Sequence, residues 1–142
     1  MIDPLLVTRK INLIAKDLKA LAPYAGLTWE AYLGDPVNEV VVERYLERII
    51  GRMIDINYHI VTESGCPPPK DYFESFLEMG KQGVLPGVFS RSIAQAAGLR
   101  NRIVHEYDEV EEEKVYEALQ QAIQDIPEYI EHIHRFVGSI GE

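Results

Sequence analysis

The segment Ala97-Gly98-Leu99-Arg100-Asn101-Arg102-Ile103-Val104-His105-Glu106-Tyr107-Asp108 carries two guanidiniums, a carboxamide, an imidazole and a phenol within eight residues. An arginine can grip two non-bridging oxygens of a phosphodiester, and an imidazole of pKa about 6.5 can move a proton at neutral pH. Cleavage of RNA needs little more. A base removes the proton of the ribose 2'-hydroxyl, the oxygen attacks the neighbouring phosphorus, and a cation stabilises the charge of the transition state. That chemistry demands no metal and no cofactor. A plainer reading stands beside it, because cations suit the negative C-terminal end of a helix whether or not they bind a ligand.

Arg100 and His105 are five residues apart. On an ideal helix that spacing separates two positions by about 140°. For both groups to meet one ligand, the helix is expected to end between them. The helix-start signal at Asp108, with Glu111 three residues on, implies such an ending and leaves residues 105–107 in a tight turn.

The elements that must position this segment are legible from periodicity. Asp3 before Pro4 is an N-cap with proline in the first turn, and Val7, Ile11, Ile14, Leu18 and Leu21 then recur at helical spacing, predicting a first helix that ends near Pro23. Residues 28–33 suggest one short helical turn plugged by Trp29 and Tyr32. Asp35-Pro36 repeats the start signal, and Val42, Leu46, Ile49, Met53, Ile56 and Ile60 trace a long second helix as far as Gly65. The run Pro67-Pro68-Pro69 cannot continue it. Residues 71–79 read as a third helix, with Tyr72, Phe73, Phe76 and Leu77 inward and Gly80 and Gly83 closing it. Residues 86–104 read as a fourth, with alanines that permit close approach of a neighbour. A fifth begins near Glu109 and carries Val115, Leu119, Ala122, Ile126, Tyr129, Ile133 and Phe136, with a kink expected at Pro127. The predicted architecture is all-α, an antiparallel bundle of about five helices forming a single domain over residues 1–142.

Other candidate groups have two readings each. Arg44, Arg48 and Arg52 recur every four residues on the second helix, either as a solvated face paired with Glu43 and Glu47 or as a phosphate track joined by Arg91 and Arg102. Asp55 and His59 share a helical face and either brace the chemical segment or form a structural pair. His132 and His134 are two apart on a helix and face differently, so no metal site is predicted there. The acidic run from Glu106 to Glu113 suits a helix start, although its nearness to His105 would raise the imidazole pKa and repel RNA.

Composition narrows the class. A chain of 142 residues can bury about 70% of its unfolded surface, and a lone cysteine, Cys66, cannot form an intramolecular disulfide. No apolar run is long enough to span a bilayer, and the opening MIDPLLVTRK lacks the order of a signal peptide, so a cytoplasmic location without membrane contact is expected. The formal charge of −9 excludes a general polyanion-binding surface. Any positive field must be local.

Arg100-Asn101-Arg102-Ile103-Val104-His105-Glu106-Tyr107 matches the R-x4-H-x-Y signature and resembles the HEPN-domain ribonuclease toxins of the HepT class. The likeness extends to Val42–Arg48, to Asp55–Ile60 and to the proline-rich break before Asp71-Tyr72-Phe73, in the same order. It implies a HEPN-like bundle that forms a homodimer, with two copies of the segment at a shared cleft. It further implies a metal-independent endoribonuclease toxin with Arg100 and His105 as the catalytic pair, Asn101 and Arg102 in support, and RNA as substrate. The implied partner is an MntA-like nucleotidyltransferase antitoxin that transfers AMP from ATP to the signature tyrosine, here Tyr107. Negative charge and bulk beside His105 would then block the phosphate site. One departure is the pair Asn57-Tyr58, where related chains often read Gly-Asn before the histidine; a role for Asn57 is left open. The competing readings are a non-catalytic helical subunit that binds a nucleotide or a nucleotidyltransferase, and a purely structural helical dimer.

Overall fold

The structure, a computed structural model, describes residues 1–105 and 111–140, with His105 described by its backbone alone. Among the described residues there are seven helices and no strand: α1 Pro4–Ala25, α2 Trp29–Leu33, α3 Pro36–Glu63, α4 Tyr72–Lys81, α5 Gly87–Ile93, α6 Gln95–His105 and α7 Glu112–Ile140. The start signals at Asp3 and Asp35 act as anticipated, and Asp71, expected as the first residue of the predicted third helix, is the cap of α4. The Asp3 carboxylate accepts from the Leu5 and Leu6 amides, and those of Asp35 and Asp71 accept from the Val37 and Glu74 amides. Each satisfies donors that the first helical turn leaves without partners.

The long α3, about 42 Å at 1.5 Å per residue, is the axis of the bundle, with α1, α2, α4, α6 and α7 all packed on it. Its predicted seam of Val42, Leu46, Ile49, Met53, Ile56 and Ile60 is buried throughout. Val7, Ile11, Ile14 and Leu21 of α1 and Val115, Leu119, Ile126, Tyr129 and Ile133 of α7 close on it to form one continuous apolar cluster. Removal of these side chains from water is the main force holding the helices together.

Several boundaries differ from the periodicity. The first helix passes through Pro23 to Ala25, whereas Pro127 lies inside α7, where it was expected. The single helix expected over residues 86–104 is divided at Ala94, which is fully buried; no residue from Ser92 to Ala97 is a breaker, so packing against the core makes the division. Gly80 does not close α4 but lies inside it. A Cβ there would come within 2.2 Å of the Ser90 Oγ, so its absence lets α5 approach α4. Gly83, at φ 77°, makes the turn. Phe76 is buried as predicted, whereas Tyr72 and Phe73, at 36% and 39% exposure, face outward. The Asp108 start signal lies outside the described residues.

No helix among the described residues is long and apolar enough to cross a membrane.

Candidate active-site cleft

Helix α6 is continuous from Gln95 to His105, so the break expected between Arg100 and His105 is absent. The intervening Asn101-Arg102-Ile103-Val104 contains neither proline nor glycine, and Ile103 is anchored in the core, which keeps the helical register intact. Positions 100 and 105 therefore lie about 140° apart around the helix axis. Tyr107 and the side chain of His105 lie outside the described residues. Asn101 is exposed, and Arg102 is exposed at the rim of a different cavity, an apolar one of about 330 Å³ floored by Leu46, Ile50 and Met53. The structure thus does not bring Arg102 to Arg100.

Arg100 itself enters a cleft of about 440 Å³ between α1, α3, α4 and α6, lined also by Lys10, Arg48, Arg52, Tyr58 and Tyr72 with Glu47 and Asp55. Its guanidinium carbon lies 5.2 Å from the centre of the Tyr72 ring, within cation–π range. Its buried Nε has no hydrogen-bond partner among the described residues. Tyr72 is held there because the Asp71 cap starts α4 one residue earlier, after the proline run has turned the chain away from α3. Tyr58 meets Tyr72 edge to face at 6.1 Å, and its hydroxyl donates to the Pro69 carbonyl at 3.3 Å. Burial, reinforced by Tyr72 and Asp71, pushes the Tyr58 phenol pKa up, so it stays neutral.

The arginine stripe of α3 resolves into two parts. Arg44 is largely exposed and pairs with Glu47 at 3.3 Å. Arg48 Nε and Arg52 Nη1 instead converge on one oxygen of Asp17, at 3.1 and 2.6 Å. Asp17 is buried in α1, and it fixes both guanidiniums at the cleft wall. Lys10 pairs with Asp55 at 3.0 Å. Among the described residues the four cations of the cleft face two carboxylates, Asp17 and Asp55, while Glu47 is paired with Arg44, an excess of two positive charges in a chain of formal charge −9. Arg91 is exposed and does not line the cleft.

Sequence reasoning missed Asp17, although a signal was present: it falls three residues after Ile14 and four before Leu21, on the apolar seam, where a carboxylate requires cations. Among the described residues, Asp55 and His59 make no hydrogen bond or ion pair to the chemical segment. They tie α1 to α3, Asp55 through Lys10 and His59 by accepting the Asp3 amide at Nε2 over 2.9 Å. His132 pairs with Glu128 at 3.1 Å while His134 is exposed, so the two do not converge. Asn57, left without a role by the sequence, is fully buried. It accepts from the Tyr129 hydroxyl at 2.7 Å and donates to the Ser75 hydroxyl at 3.2 Å, joining α3 to α7 and α4.

A tRNA nuclease HepT of Aphanizomenon flos-aquae is 32% identical over 141 residues, covering 99% of this chain and 96% of the relative. An mRNA nuclease HepT of Shewanella oneidensis is 27% identical over 88 residues, 62% of this chain and 66% of the relative. The fold is shared with a tri-AMPylated HEPN toxin of Shewanella oneidensis solved in complex with an MNT antitoxin, at a TM-score of 0.82 and 24% identity over 92% of this chain and 97% of that one. The family described as Ribonuclease HepT-like matches residues 14–133, a span that holds Asp17, Arg48, Arg52, Tyr72 and the whole R-x4-H-x-Y signature. This chain belongs to the HepT-like ribonuclease family.

Proposed function

We propose that this chain is a metal-independent endoribonuclease toxin that cuts RNA in the cytoplasm with Arg100 and His105, and that AMP transfer to Tyr107 by an MntA-like nucleotidyltransferase antitoxin silences it. The observation that carries the reading is the position of Arg100: a guanidinium packed on Tyr72, without a carboxylate partner among the described residues, in a cleft with surplus positive charge. Such a group is available to a phosphate.

In the reaction, His105 takes the proton of a ribose 2'-hydroxyl and the freed oxygen attacks the adjacent phosphorus. Arg100 stabilises the charge on the phosphoryl oxygens. The bond from phosphorus to the 5'-oxygen breaks, and that oxygen takes up a proton, leaving a cyclic phosphate and a 5'-hydroxyl. Positions 100 and 105 diverge on a continuous helix, so the site is completed in a homodimer, where two copies of the segment meet at a shared cleft. The relatives support the partner, since the Shewanella toxin of the same fold was solved AMPylated and bound to its antitoxin. AMP on Tyr107, two residues from His105, brings a phosphate's negative charge to the place where the RNA phosphate must sit.

The test is growth arrest together with cleavage of single-stranded RNA by the wild-type chain and by His105→Ala and Arg100→Ala. Each substitution is expected to lower the cleavage rate at least about a hundredfold. With the antitoxin and ATP, Tyr107→Phe is expected to take up no AMP and to remain toxic. Equal cleavage by wild type and His105→Ala removes the catalytic assignment. Tight ATP or antitoxin binding with RNA left intact assigns the chain instead as a non-catalytic nucleotide- or nucleotidyltransferase-binding subunit.

A further inference from the structure

The cleft holds more than the catalytic reading uses. Arg48 and Arg52 share a single oxygen of the buried Asp17, so each guanidinium spends one N–H on it and has four more. One carboxylate leaves the pair with a net positive charge. Their side chains are 40% and 20% exposed, so these donors reach the cleft while their position is fixed from behind. In the same cleft Tyr72 is partly exposed and packed on Arg100, with Tyr58 at its edge, an aromatic and guanidinium wall. At about 440 Å³ the cleft is within the range of small-ligand sites, which run from about 300 to 1,000 Å³.

We propose that this cleft seats one unpaired nucleotide of single-stranded RNA beside the phosphate held by Arg100, with its backbone phosphate on Arg48 and Arg52 and its base against Tyr72. The inference rests on the ribonuclease reading above and names the part of the substrate that this face recognises. A base can stack on a side chain only when it has left its own helix, so the wall selects unpaired RNA, and stacking of this kind tolerates any base. Asp17 is then a positioning residue: it touches no RNA and acts by holding the two arginines.

The experiment uses the full-length chain carrying His105→Ala, so that bound RNA stays whole, and follows the anisotropy of a labelled short single-stranded oligonucleotide. Tyr72→Leu is expected to weaken binding about tenfold and Tyr72→Phe to retain it. An abasic nucleotide walked along the oligonucleotide is expected to weaken binding at one position in the parent and to have no such effect in Tyr72→Leu, a pattern that a structural role for Tyr72 does not produce. Arg48→Gln, which leaves Asp17 its closer partner Arg52, is expected to lower the slope of log affinity against log salt by about 0.7. A duplex of the same sequence is expected to show none of these differences. If the wild-type chain cleaves RNA but neither the abasic walk nor the salt slope responds to these variants, the nucleotide seat is wrong and the ribonuclease reading stands. If the wild-type chain neither binds nor cleaves RNA, both fall.

Discussion

Arg52 donates to Asp17 across 2.6 Å, from a helix face that borders the cleft to a carboxylate that is 4% exposed. The two partners are unequal in their access to water, and so are the expected costs of removing them. Without Asp17 the guanidiniums of Arg48 and Arg52 can still turn into the cleft and be hydrated. Without Arg52 the carboxylate stays buried with only Arg48 at 3.1 Å. Asp17→Asn is therefore expected to cost about 1–2 kcal/mol of stability and Arg52→Ala about 3 kcal/mol. Urea denaturation of the two variants decides it, and a larger loss in Asp17→Asn would show that the charge bridge is not organised around the buried acid.

The second prediction concerns Tyr129, whose ring is buried and whose hydroxyl donates to Asn57 Oδ1 at 2.7 Å and lies 3.1 Å from the Met53 carbonyl. Burial pushes the phenol pKa well up, so the group acts only as a neutral donor. Tyr129→Phe keeps the volume and leaves Asn57 Oδ1 without that donor, at an expected cost of about 2 kcal/mol. The chain of bonds continues from Asn57 to Ser75 and from the Ser75 hydroxyl to the Tyr72 carbonyl at 2.6 Å. A thermal melt measures the loss, and an unchanged melting temperature would show that the network contributes nothing net.

A third prediction follows from three carboxylates gathered where α7 begins. Burial, the negative charges of Glu43 and Glu112, and a hydrogen bond with Glu112 raise the Glu39 pKa to about 7. An acid whose folded pKa lies above its unfolded value binds more protons in the folded state, so its contribution favours folding at low pH and fades as pH rises from about 4.5 to about 7. Glu43, raised by burial, acts in the same direction. Glu39→Gln is expected to stabilise the chain at pH 8 by about 1 kcal/mol, less than the full shift implies because the group is part-exposed and screened. Near pH 4.5 it is expected to change little. Denaturation of wild type and variant at both pH values isolates this residue from the general effect of net charge. A gain of equal size at the two pH values would show that Glu39 is not the titrating group.

Much of the bundle was legible because a helix reports its buried face every three to four residues. The seams of α1, α3 and α7 fall where the apolar spacing puts them, and Asp3 and Asp35 cap helices at their sequence signals. These are local properties, set by backbone donors and side chains a few residues apart. The signature segment was legible too, in its residue types and its order.

What the tertiary structure decided lies between elements distant in the chain. That α5 and α6 are separate helices, that α6 runs unbroken through Arg100 to His105, and that Tyr72 faces Arg100 instead of the core all depend on neighbours that periodicity does not name. The same holds for Asp17 and Asn57. Each is a polar residue on an apolar seam, and each is tolerable only because partners 35 and 72 residues away, Arg52 and Tyr129, arrive to satisfy it. A sequence displays the unmet demand of a buried polar group, and only the packed chain supplies the group that meets it.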